Sequence, residues 1–227
     1  GRRPRRPKGG ARATDFSRDA AAPPPSLWAR ALGRGFRLGS WATTPFVPAL
    51  LALGAAPSAR MRALALSRLP DRGHSLDALH GEIASLESRF DGRLRVCCVD
   101  RGSGRRVVFG RPGSPRSEVA DAVVASCSIP WVFRPVEIAG REYVDGGAWS
   151  LTNLDTAPAG RETEVLCLHP SAGLGLTLAS PMGAFRAASS AAAEVEALAL
   201  RARGSRVRVL GPDAESAAHM GAQFMDP

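Results

Sequence analysis

What the sequence lacks narrows it first. No run of eighteen consecutive apolar residues occurs in its 227 residues, so no membrane-spanning helix is expected. The Pro- and Arg-rich start has no short basic region followed by an apolar core and a cleavage site, which makes a cytoplasmic location the expectation. Cys97, Cys98, Cys127 and Cys167 form no CxxC, and His74, His80, His169 and His219 form neither HExxH nor a paired metal spacing. Buried free thiols are therefore expected, with no metal and no other cofactor. No internal repeat is visible.

Charge is present in excess but unevenly placed. The formal net charge is +9, and Arg2, Arg3, Arg5, Arg6, Lys8 and Arg12 fall within the first twelve residues. Without those six about +3 remains, so the body is only mildly basic and a nucleic-acid partner is not expected. Residues 1–26 mix Arg, Pro, Gly and Ala with almost nothing to bury and read as a disordered or basic linker segment. Residues 27–227 are long enough for one domain with a substantial core.

Within that domain the patterns alternate. Residues 27–53 carry Trp28, Phe36, Trp41 and Phe46 between Gly and Pro, as short helices joined by turns, one of them over 47–53. Ser75 to Phe90 places Leu76, Leu79, Ile83, Leu86 and Phe90 on one stripe, predicting a helix capped by Ser75 and packed on a sheet. Leu94–Val99 and Arg105–Phe109 read as strands joined by a glycine-containing turn, with Cys97 and Cys98 pointing to opposite faces. Ser117–Cys127 has helical spacing and stops before Pro130. Val136–Ile138 and Glu142–Val144 flank Ala139-Gly140, a short-hairpin signal. Glu164–His169 reads as a central strand, 181–201 as a helix, Val207–Leu210 as a strand and 214–224 as a terminal helix. Strands alternating with helices predict an α/β fold with a largely parallel sheet.

Several pieces, in order, carry a resemblance. They are Arg105–Pro112 (RRVVFGRP), the ASCSIPWVF ending at Phe133, the YVDGG of Tyr143 to Gly147, and Ser150–Asp155 (SLTNLD). Together they resemble the bacterial branch of the patatin-like phospholipase family over roughly residues 70–225. The resemblance implies a three-layer α/β sandwich around a largely parallel sheet, here incomplete at the N-terminus. It also implies a serine hydrolase of lipid acyl esters that works through a Ser-Asp dyad and an acyl-enzyme. By that resemblance Asp145 is the dyad acid, Gly146 and Gly147 complete its motif and Asn153 supports it. Its partners are then a lipid or other acyl ester and a transient membrane surface, with oligomeric state left open.

The family's nucleophile sits in G-x-S-x-G on a sharp strand-to-helix turn. That motif occurs nowhere in the sequence, so these 227 residues are expected to be a fragment that is inactive by itself. The alternative is a non-catalytic lipid-binding or interaction protein that retains the fold. Ser126 and Ser128 lie near Asp145 in sequence but read as helix-end residues. Trp131 and Phe133 could line an acyl pocket or simply fill the core. A Cys127–His169 pair has nothing to orient it.

Overall fold

The structure, a computed structural model, describes residues 58–69, 73–170, 172, 181–213 and 216; for 181–186 it describes the backbone only. The segments 1–26 and 27–53 and the expected terminal helix at 214–224 lie outside the described residues, apart from residue 216. The elements in order are helix α1 (Ala59–Ser67), helix α2 (Asp77–Ser85), strands β1 (Val96–Asp100) and β2 (Arg106–Phe109), helix α3 (Val119–Cys127), strands β3 (Val136–Ile138) and β4 (Arg141–Asp145), strand β5 (Glu164–Leu168), helix α4 (Pro181–Ala202) and strand β6 (Arg206–Leu210).

Four strands form one sheet in the order β2-β1-β4-β3, antiparallel at every pair. This corrects the expectation of a largely parallel central sheet: among the described residues parallel pairing is found between β5 and β6 and in one isolated bridge, His74 with Phe133. The reason lies in the connections. Residues 101–105 join β1 to β2, and Ala139-Gly140 alone join β3 to β4, whereas a parallel crossover needs about a dozen residues or more. Ala139 and Gly140 have φ of 51° and 74°, the two left-handed positions that match a two-residue turn to the twist of its strands. Glu164–Leu168, expected within a central strand over 164–169, instead lies outside the four-stranded sheet and pairs, among the described residues, with β6 alone.

Period-two alternation sends the side chains of β1 and β4 to two cores. On one face Val96, Cys98, Phe109, Ile138 and Tyr143 pack against Ala122 and Ala125 of α3. The Phe109 and Tyr143 rings meet edge to face with centroids 5.1 Å apart. On the other face Val99 and Val144 pack against Leu66 of α1 and Ala148. Helices thus flank the sheet on both sides. Cys97 and Cys98 do point opposite ways, and all four cysteines are free, but only Cys98 is buried: Cys97 and Cys167 are half-buried and Cys127, at the end of α3, is exposed.

The helix expected over 75–90 is shorter and packs differently. Ser75 is not its cap: the Ser75 hydroxyl donates to the Asp77 carboxylate (2.6 Å), and Leu76 holds the cap position. Leu76 and Leu79 pack with Val124 of α3 and Phe133, and His80 reaches Asp121 of α3 at 3.0 Å, so α2 lies on a helix rather than on a sheet. In the second unit α4 covers one face of β5–β6. Ala197 and Leu200 pack on Val207, Val165 and Val209, together with Leu154 from the loop after β4. The opposite face leaves Leu166 56% and Leu168 72% exposed.

Candidate active site

β4 ends where three constraints meet. Cys98 of β1 is paired with Asp145, and the Asp145 amide donates to the Ser128 carbonyl just past α3 (2.9 Å). The chain then turns through a single 3-10 turn, Gly146–Ala148, in which the Gly147 amide donates to Asp145 Oδ1 (2.5 Å). Gly146 has no alternative here: a Cβ on it would stand 2.4 Å from the Cys97 carbonyl oxygen. Strand end, helix exit and close-packed glycine fix the acid from both sides.

Asp145 lines a cleft of about 480 Å³ together with Gly146, Gly147, Cys97, Ser126 and Thr152. Among the described residues its carboxylate has one hydrogen bond, from Gly147. Burial pushes Asp145 up to about 6, and the Gly147 amide offsets only part of that. A carboxylate titrating near neutrality can hold or release a proton at ordinary pH, which is what a general base requires. The thiols beside it are held towards their neutral form: partial desolvation and then the charge of Asp145 raise Cys127 to about 11 even though that residue is exposed, and desolvation raises Cys97.

The loop after the 3-10 turn is tied back to it. Asn153, left-handed with φ 48°, donates from Nδ2 to the carbonyls of Gly146 (3.1 Å) and Ser150 (2.7 Å). Its Oδ1 accepts from Arg106 (3.1 Å), and Arg106 also donates twice to Asp155, at 2.6 Å each. The Asp155 bond raises the Arg106 pKa, and the guanidinium lies 5.4 Å from the Trp149 ring centroid; that of Arg62 lies at 4.3 Å. Asp155 therefore bears on Asn153 through Arg106.

Of the other residues singled out in the sequence, Ser126 lines the cleft, whereas Ser128 is buried with its hydroxyl on the Val124 carbonyl (2.8 Å). Phe133 is core and Trp131 is 53% exposed; neither lines the cleft. Cys127 and His169 are not brought together, because His169 is buried against Ser189 of α4 (3.3 Å). Sequence reasoning missed Arg106 and Glu196. Glu196 accepts hydrogen bonds from Ser150 Oγ (2.5 Å), Thr152 Oγ1 (2.6 Å) and the Leu154 amide (2.5 Å). A detectable signal existed for Glu196: it lies on α4 between the buried Ala193 and Leu200 and beside Ala197, a carboxylate on an apolar stripe. Among the described residues no group of His, Cys, Asp or Glu could hold a metal ion, and no helix is long and apolar enough to cross a membrane.

Helices on both faces of a sheet place the chain among α/β proteins, with the Asp145 carboxylate presented at a strand end before two glycines. The model of the patatin-like phospholipase family matches residues 14–158, and the chain belongs to that family. Membership brings lipid acyl hydrolysis as the general activity and lipids as the general substrate. A comparison with curated proteins found no match. Asp145, Gly146, Gly147, Asn153 and Arg106 all fall inside the matched span, and Glu196 lies beyond it.

Proposed function

We propose that Asp145 is the acid of a Ser-Asp dyad in a lipid acyl hydrolase that cleaves carboxylic esters through an acyl-enzyme. The observation that carries this reading is the Asp145 carboxylate itself. It is held at a strand end, faces a cleft, has one hydrogen bond among the described residues and titrates near 6. A serine hydroxyl brought beside it would pass its proton to the carboxylate while its oxygen attacks the ester carbonyl. Collapse of the tetrahedral intermediate would release the alcohol, which takes that proton. Water would then attack the acyl-enzyme with Asp145 again as base, regenerating the serine and freeing the acid. Asn153 supports the reading by holding the Gly146 carbonyl, so that the turn bearing Asp145 is stiff before substrate arrives.

Because the 227 residues contain no G-x-S-x-G, the proposal assigns the nucleophile to sequence outside them. Residues 1–227 alone are then expected to leave p-nitrophenyl esters intact and to resist a serine-directed fluorophosphonate. A longer reading frame carrying a glycine-rich loop, a strand and G-x-S-x-G is expected to be labelled and active, with a rate rising through about pH 6 as Asp145 deprotonates. Stoichiometric labelling of residues 1–227, lost in Asp145→Asn, would move the nucleophile into this chain, with Ser126 the first to test. The missing motif also favours a second reading, a lipid-binding protein without turnover. A verified longer chain that lacks the serine elbow yet binds lipid vesicles would select it.

A further inference from the structure

We infer that Glu196 is a positioning residue, one that from α4 fixes the loop 150–154 and, through it, the turn that holds Asp145. The inference rests on the reading of Asp145 as the acid of the site and adds a residue that the family match does not reach.

All three donors to the Glu196 carboxylate come from one five-residue stretch. Ser150 and Thr152 supply hydroxyls and Leu154 its amide, at 2.5, 2.6 and 2.5 Å, so both carboxylate oxygens are committed to the loop. The hold is passed on. Ser150 Oγ accepts from the amides of Thr152 (3.3 Å) and Asn153 (3.2 Å), which sets the backbone that places Asn153 in its left-handed conformation. Asn153 Nδ2 then clasps the Gly146 carbonyl, one residue from Asp145. Leu154 adds an apolar anchor by packing with Ala197 and Leu200 of the same helix. Charge-assisted bonds are short and strongly directional, and three of them converging on one rigid helix position leave the loop little freedom. The β5-α4-β6 unit is therefore part of the site, although it contributes no residue to the cleft that Asp145 lines.

The test uses residues 1–227 as they stand and needs no turnover. Amide hydrogen exchange at Gly147 and Asn153 and the Asp145 carboxyl titration followed by NMR are compared in Glu196→Ala, Glu196→Gln and Glu194→Ala. In Glu196→Ala the protection of both amides is expected to fall about tenfold or more, and the Asp145 midpoint to drop by about half a pH unit or more as water reaches the loosened turn. Glu196→Gln keeps an acceptor for Leu154 and a polar partner for the hydroxyls, and is expected to stay within about threefold of the parent. Glu194, exposed on the same helix and 3.6 Å from Arg201, controls for general weakening of α4 and should change nothing. Unchanged Gly147 and Asn153 protection with an unchanged Asp145 midpoint in Glu196→Ala would overturn the inference. So would Glu196→Gln or Glu194→Ala behaving like Glu196→Ala. If Glu196→Ala does not fold, Thr152→Val removes one donor to Glu196 while leaving the Ser150 acceptor of the Asn153 amide in place, and should shift both readouts in the same direction; no shift in either overturns the inference. Labelling of a longer, active chain that is indifferent to Asp145→Asn would defeat the catalytic reading and leave these readouts standing.

Discussion

Replacing Asp145 by Asn should make the protein more stable above neutrality, and the gain should fade in acid. In the folded chain Asp145 titrates near 6, against 3.8 for the unperturbed side chain. Above about pH 6 the folded state therefore carries a charge that burial disfavours, by up to about 3 kcal/mol, since each tenfold change in proton affinity is worth about 1.36 kcal/mol. As pH falls through 6 the folded protein takes up a proton that the unfolded chain does not yet bind. Parent stability thus gains in the window from 6 down to 3.8, and the penalty is gone below it. Asn never carries the charge, and the help that the Gly147 amide gives the carboxylate is already contained in the value of about 6. The net expectation at pH 8 is a gain of up to about 3 kcal/mol, or roughly 6–12 °C in midpoint for a domain of this size. At pH 4, where the folded parent is protonated and a neutral carboxyl and an Asn carbonyl accept the amide alike, the difference should shrink to below about 1 kcal/mol. Urea melts of both proteins across pH 4–8 measure this. A difference that keeps one sign and one size over the whole range would refute the argument that burial of the charge sets the Asp145 equilibrium.

Three further outcomes follow from other contacts. Gly146→Ala puts a methyl against the Cys97 carbonyl and should cost about 3 kcal/mol in denaturant melts; a loss below about 1 kcal/mol would mean that β1 yields readily. A double-mutant cycle between Arg106→Met and Asp155→Asn should give a coupling of about 1–2 kcal/mol, less than for a fully buried pair because the side chains are 17% and 27% exposed; additive losses would reduce the pair to a surface contact. Replacing Leu166 and Leu168, 56% and 72% exposed, by Lys should shift sedimentation profiles of residues 1–227 towards monomer, and an unchanged distribution would show that this face does not drive association.

What the sequence revealed and what it hid have separate physical causes. The β3–β4 hairpin was legible because Ala139-Gly140 between two alternating runs leaves almost no other connection. Asp145 stood out as a candidate because strand, Asp and two glycines are contiguous, and the structure sets its carboxylate at a strand end facing a cleft. The parallel sheet was a misreading in which strand–helix alternation outweighed connections whose lengths already demanded antiparallel pairing. Helix α1 was missed because its sequence, ARMRALALS, spreads Arg and Leu around the helix with no apolar stripe. Glu196 was missed because its partners are more than forty positions away, and distance in the chain hides what a folded loop brings within 2.6 Å. Arg106 lay inside a quoted motif, but only the fold sets it between Asn153 and Asp155.

The two neighbours at the end of β4 answer different questions about any related chain. Gly146 is held by the Cys97 carbonyl pressed against it, a demand of packing that persists whether or not an ester is ever cleaved. Burial of the Asp145 charge opposes stability above neutrality, so packing makes no comparable demand for a carboxylate there. On the reading that Asp145 is the acid of the site, a descendant that abandons the reaction is free to drift at the acid and not at the glycine. In a survey of relatives the glycine would then report inheritance of the architecture, and the aspartate would report whether selection still acts on the reaction.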